Sequence, residues 1–169
     1  MITKEDIEGF LDRLSLEGGS YKEVEPGLWV VKPGGALDFD LVVHYSPPVV
    51  VLRVKVMDLP NDNSKVADLS RRLLELNASD MVHGSYGFEK DAVVITEALE
   101  LAHLDFEEFL AAYESMTLAL ASHLREIGSF SKSNTRARGA AKKSGASAAS
   151  AAGGKARGAR GGRAGRGRK

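Results

Sequence analysis

Four histidines, His44, His83, His103 and His123, are the first side chains to weigh for chemistry. Imidazole is both the commonest metal ligand and a general base near neutral pH. No two of them stand at helical i, i+4 spacing, and none sits in an HExxH arrangement. The chain has no cysteine, so a zinc site would need the histidines to converge from separate elements. They read as ordinary surface or hydrogen-bonded side chains. Ser85 lies two residues from His83, but nucleophilic catalysis also needs a carboxylate orienting the base. The segment His83-Gly84-Ser85-Tyr86-Gly87 is one residue short of GxSxG. Gly84 and Gly87 lack the further glycines and the following lysine of a phosphate loop, and they read as a bulge or close approach within a strand. Glu97, Glu100, Asp105, Glu107, Glu108, Glu114 and Glu126 offer carboxylates so freely that no glycosidase pair stands out, and they read as a solvated helix face. The chain therefore does not read as an enzyme, and no catalytic residue, metal ligand or cofactor is expected.

Two stretches suit binding better. Leu28, Trp29 and Val30 are candidate protein contacts, because aromatic side chains are enriched at interface centres. Trp29 reads equally well as a cap on the core. The second stretch is the C-terminal segment, where Lys142, Lys143, Lys155, Arg157, Arg160, Arg163, Arg166, Arg168 and Lys169 are candidate polyanion-binding residues. Its Arg/Gly units are like those of RNA-binding segments, and guanidinium forks suit phosphate oxygens and stack on bases. Two other readings of that segment stay open: a solvated appendage, or a cover for its own acidic domain.

The elements that must position these residues follow from pattern. Thr3 caps a first helix, with Asp6 as reciprocal partner, and Ile7, Phe10, Leu11 and Leu14 make one apolar face. Gly18-Gly19 stops it. Strand-like segments 21–24 and 28–31 flank the turn pair Pro26-Gly27; segments 39–45 and 49–57 flank Pro47-Pro48. Leu52, Val54 and Val56 alternate with Arg53, Lys55 and Met57, which predicts an antiparallel sheet covered on one side. Ser64 reads as the cap of a second helix that buries Val66, Leu69, Leu73, Leu74 and Leu76 and leaves at Asn77. A strand from Met81 to Phe88, a turn at Glu89-Lys90-Asp91 and a strand from Ala92 to Thr96 come next. Asp105 caps the longest helix, whose apolar stripe runs from Phe106 to Ile127 and which Gly128 ends. The order is α, three or four strands, α, two strands, α: an α+β fold.

Charge divides the chain sharply. Residues 1–130 carry 11 basic and 23 acidic side chains, a formal charge of −12, and residues 131–169 carry 12 basic and no acidic ones. The net charge of zero is thus a cancellation. The first part also holds every aromatic and branched aliphatic residue, enough for an independent core of about 130 residues. The rest buries too little apolar area to offset ordering entropy of about 1–2 kcal/mol per residue and reads as disordered. The N-terminus has acids where a signal peptide needs an apolar run, and no stretch is long enough to span a bilayer, so a cytoplasmic protein is expected.

The segment Leu76–Leu101 carries a resemblance. Leu76-Asn77 at a helix end, the strand Gly84-Ser85-Tyr86-Gly87-Phe88, the charged turn Glu89-Lys90-Asp91 and the helix start Leu104-Asp105-Phe106-Glu107 resemble the YbjN and Tir-chaperone (CesT) proteins. These belong to the type III secretion chaperone-like superfamily, and the likeness covers roughly residues 3–127. It implies the order α-β-β-β-α-β-β-α and an acidic homodimer that binds polypeptide without ATP. The partner segment would lie extended across apolar patches. The basic segment falls outside the likeness; with it, a nucleic-acid-associated adaptor is the alternative function.

Overall fold

The computed structural model describes residues 1–16, 18–34 and 38–131. A compact unit spans Met1–Ser133. Its elements are α1 (Lys4–Ser15), β1 (Ser20–Glu25), β2 (Leu28–Lys32), β3 (Leu41–Ser46), β4 (Val49–Asp58), α2 (Asn63–Ser79), β5 (Ser85–Glu89), β6 (Ala92–Glu100) and α3 (Phe106–Ser131). The α+β class is as expected, with four strands rather than three before α2. All six strands form one antiparallel sheet in the order β1-β2-β3-β4-β6-β5.

Local chemistry explains most boundaries. Thr3 and Asp6 form the reciprocal capping box of α1. Gly27, at φ 77°, makes the turn from β1 to β2, and Pro47-Pro48 connects β3 to β4 through a cis bond. Lys90, at φ 52°, turns β5 back into β6.

Other boundaries depart from the sequence reading. The N-cap of α2 is Asp62, whose carboxylate accepts from the Ser64 amide at 2.9 Å; Ser64 lies inside the first turn. Asn77 does not end the helix, which runs on to Ser79. Residues 81–84 are a connection, and β5 begins only after Gly84 at φ 78°. Gly128 does not end α3. The buried Ile127 and the partly buried Phe130 lie on the core side and carry the helix to Ser131.

The helices share one face of the sheet. Ile7 and Leu11 from α1, Leu69 and Leu76 from α2, and Phe109, Met116 and Leu120 from α3 enclose Trp29, Leu41, Val43, Leu52, Val54 and Ile95. Each such large apolar side chain contributes about 1.5–3 kcal/mol by leaving water. Among the described residues, no helix covers the opposite face of the sheet. Leu74 and Leu124, expected on buried stripes, are 68% and 43% exposed. Among the described residues, no helix is long and apolar enough to cross a membrane.

Candidate polypeptide-binding surfaces

Strand alternation separates the three contact candidates. Trp29 pairs with Val43 on the helix-covered face and is fully buried, so the expected role of its side chain as a contact is corrected to core. Its indole Nε1 has no hydrogen-bond partner, and the Lys4 ammonium lies 5.8 Å from the ring centroid. Leu28 pairs with His44 and Val30 with Val42, which puts both on the open face, half-buried.

One row crosses the whole open face: Lys22, Val30, Val42, Arg53, Thr96 and Ser85 stand opposite one another through all six strands. A second row runs Leu28, His44, Val51, Ala98. Val30, Val42 and Val51 are half-buried and Val94 is buried, so a branched aliphatic floor lies between the charged groups. A hollow at one end is lined by Asp40, Val42, Arg53, Lys55, Asp58, Glu89, Lys90, Asp91, Ala92 and Val94.

A second apolar surface lies where α2 meets β5. Ser70, Leu73, Leu74, Tyr86, Gly87 and Phe88 line a shallow groove there. Leu74 and Phe88 are exposed, as is neighbouring Val82. The backbone of this edge strand is partly closed. The Asn77 carboxamide accepts from the Tyr86 N–H at 2.7 Å and donates to the Tyr86 carbonyl at 3.1 Å. A side chain from α2 thus occupies groups an added strand would use, one of the ways a sheet edge is protected.

Behind the groove the buried Tyr86 and His123 link to the exposed Asp80. The Tyr86 hydroxyl is 3.0 Å from His123 Nδ1, and His123 Nε2 is 3.4 Å from Asp80 Oδ2. Burial, with Glu126 nearby, pushes the Tyr86 phenol well above its ordinary value and keeps it protonated. The order Asp80–His123–Tyr86 is that of a charge-relay chain, yet its terminal group is enclosed and held as a neutral hydroxyl, a hydrogen-bonded strut between α2, α3 and β5. Arg72 on α2 and Glu126 on α3 close the same junction; Arg72 donates to both carboxylate oxygens, from Nη2 at 3.1 Å, and holds the Glu126 carboxyl below its usual range. No group of three or more His, Asp or Glu side chains able to hold a metal occurs among the described residues.

Of the other histidines, His83 lies 3.7 Å from Glu97 with its backbone N–H bonded to Ser115 Oγ. Ser85 is on the open face, opposite Thr96, away from that pair. The candidate polyanion-binding residues Lys142 to Lys169 lie outside the described residues. The α2–β5 groove was missed in the sequence because Leu74 sits among leucines that are buried, and only the sheet's edge shows which one is left over.

A six-stranded antiparallel sheet with three helices on one face is the fold expected of the type III secretion chaperone-like superfamily. Within it the chain belongs to the CesT_Tir_1 family, whose sequence profile matches residues 2–133. Two solved structures share the fold. A chain of the heterodimeric ExoU–SpcU complex from the type III secretion system of Pseudomonas aeruginosa matches at 12% identity and TM-score 0.56, over 70% of this chain and 95% of that one. YbjN from E. coli, a proposed transcription regulator, matches at 16% identity and TM-score 0.54, over 74% of this chain and 93% of that one. No curated protein sequence matches the chain.

Proposed function

We propose that this protein is a cytoplasmic, homodimeric, non-enzymatic chaperone-like protein that holds a segment of a partner polypeptide. The observation that carries this reading is membership of the CesT_Tir_1 family across residues 2–133, joined to two uncovered apolar surfaces. Those surfaces have different roles in the proposal. The open sheet face, with Leu28 and Val30, takes the partner. The α2–β5 groove takes a second copy of this chain.

The dimer assignment rests on self-complementarity. A two-fold interface brings the same patch to itself, so its charges must match their own image. Arg71 and Glu75 stand one turn apart on α2 beside Leu74, 85% and 51% exposed in their side chains. Across a two-fold axis, Arg71 of one copy faces Glu75 of the other while Leu74 and Phe88 fill the centre. Light scattering on the full chain should give twice the chain mass. Leu74→Asp with Phe88→Asp should give a folded monomer, since both side chains are exposed and neither supports the core. Affinity capture from the source cells at low and high salt, with and without residues 134–169, tests the partner assignment. A salt-resistant polypeptide retained by residues 1–133 is the expected result. A monomeric wild type that captures no such polypeptide would remove the proposal.

The charge division of the sequence favours one second reading: an adaptor bound to nucleic acid through Lys142, Lys143, Lys155, Arg157, Arg160, Arg163, Arg166, Arg168 and Lys169.

A further inference from the structure

The open sheet face differs in charge from the domain that presents it. Residues 1–130 carry more than twice as many acids as bases. Yet the six-strand row holds Lys22 and Arg53 and no carboxylate. The adjoining positions on the same face add Lys32, which pairs across from Ser20, and Lys55, which stands opposite Val94. Among the described residues, acids reach this face at its rim, through Glu25, Asp40, Asp58, Glu89, Asp91 and Glu100. Resting on the reading that this domain holds a partner polypeptide, we propose that the open face docks a segment in which apolar residues alternate with carboxylates.

The present partners of these cations fit that role. Lys32 is 3.4 Å from Asp40, Arg53 is 2.8 Å from Glu89 and Lys55 is 2.6 Å from Asp58. All six side chains are between 42% and 80% exposed. Ion pairs this exposed hold little free energy and exchange readily, so a partner's carboxylates can replace the rim acids at small cost. Lys22 makes no ion pair among the described residues. Strands lie about 4.8 Å apart, which sets Lys22 on β1 roughly 14 Å from Arg53 on β4, with Val30 and Val42 between them. A bound segment therefore meets cation, valine, valine, cation in sequence. Apolar contact supplies the area, and the flanking cations select the sign of what accompanies it. A segment bearing lysines would bring cations against Lys22 and Arg53 within the row and bind more weakly.

The chain has no cysteine, so Ala98→Cys, exposed on this face beside Val51, accepts a single environment-sensitive fluorophore that reports on the sheet alone. The full-length labelled protein is titrated with three synthetic peptides of equal length, alternating Leu with Glu, Leu with Lys, and Ser with Glu. The Leu/Glu peptide should shift the emission and saturate; the other two should leave it unchanged, the Ser/Glu peptide because it lacks the apolar side chains that would seat it on the valine floor. Lys22→Glu with Lys55→Glu, checked for unchanged circular dichroism, should weaken the Leu/Glu response about tenfold. Equal binding of the Leu/Lys peptide, or indifference to the double reversal, overturns the preference for acids and leaves polypeptide binding intact. A label that no peptide moves overturns the sheet face as the site. Either failure is distinct from that of the broader reading, which light scattering and partner capture decide separately.

Discussion

Asn77 shows how much can rest on one side chain. It sits inside α2, where asparagine is a poor helix former, and looks from its type like a helix exit. Its carboxamide instead satisfies both backbone groups of Tyr86. The Tyr86 side chain then reaches inward to His123, which in turn meets Asp80 at the end of α2. The chain of contacts returns to the helix it left. Asn77→Leu keeps the approximate size and removes both hydrogen bonds, leaving a partly buried N–H and carbonyl unpaired, at a cost of about 1–3 kcal/mol. Urea unfolding should show a lower midpoint with little change in slope, since the folded state stays compact. Asn77→Asp keeps the acceptor for the Tyr86 N–H and should fall between the two. A Leu variant within about 0.5 kcal/mol of wild type would show that water replaces the clamp.

At the scale of elements, glycine has opposite meanings at two positions. Gly128 lies within α3, and a methyl group added there meets nothing within 4 Å. Gly128→Ala should therefore stabilise the protein by about 0.5–1 kcal/mol, because glycine loses more backbone entropy in a helix. Gly84, at φ 78°, has Ile95 Cγ2 3.1 Å and Met116 Cγ 3.3 Å from the same methyl position, so Gly84→Ala should destabilise. Thermal melts of the two variants should move in opposite directions, and a shared direction would defeat the argument. The pair also shows what sequence could reveal. The Thr3–Asp6 box and the Pro26-Gly27 and Pro47-Pro48 turns are fixed by neighbours a few residues away, and each was legible. So was the element pattern around Glu89-Lys90-Asp91. The ends of α2 and α3 were not, because Asn77 and Gly128 have the residue types of helix stops. Contacts distant in sequence override them: the Tyr86 backbone for one, the core beneath Ile127 and Phe130 for the other. The proposed binding surface shows a related limit. Leu28-Trp29-Val30 reads as one contact stretch, but the pleat sends the tryptophan inward and leaves only its neighbours on the open face. The leftover Leu74 needed the sheet edge to be recognised.

At the scale of the whole molecule the governing fact is charge, carried as −12 in residues 1–130 and +12 in residues 131–169. Neither the fold nor the family match reaches the second value, because the matched region ends at residue 133. The net charge of the acidic domain opposes nucleic acid, so the adaptor reading assigns affinity for DNA or RNA to the basic segment. Each phosphate that segment neutralises releases counterions and steepens the fall of affinity with salt by roughly 0.9 log units per tenfold rise for duplex DNA. Full-length protein should bind mixed-sequence duplex in low salt and lose it steeply as salt rises, whereas protein ending at Ser133 should not bind at all. Replacing Arg157, Arg160, Arg163, Arg166 and Arg168 with lysine keeps the charge and removes the planar fork. It should preserve most duplex binding and weaken single-stranded RNA, where guanidinium stacking on bases adds to charge. Equal binding by the truncated protein would move the interaction onto the domain and sink the adaptor reading. An acidic competitor such as the Leu/Glu peptide gives the last separation. It should displace nucleic acid from the full chain only as fast as its own charge allows, while its response at the sheet-face label persists at salt concentrations that have already released the duplex, because apolar burial is not screened.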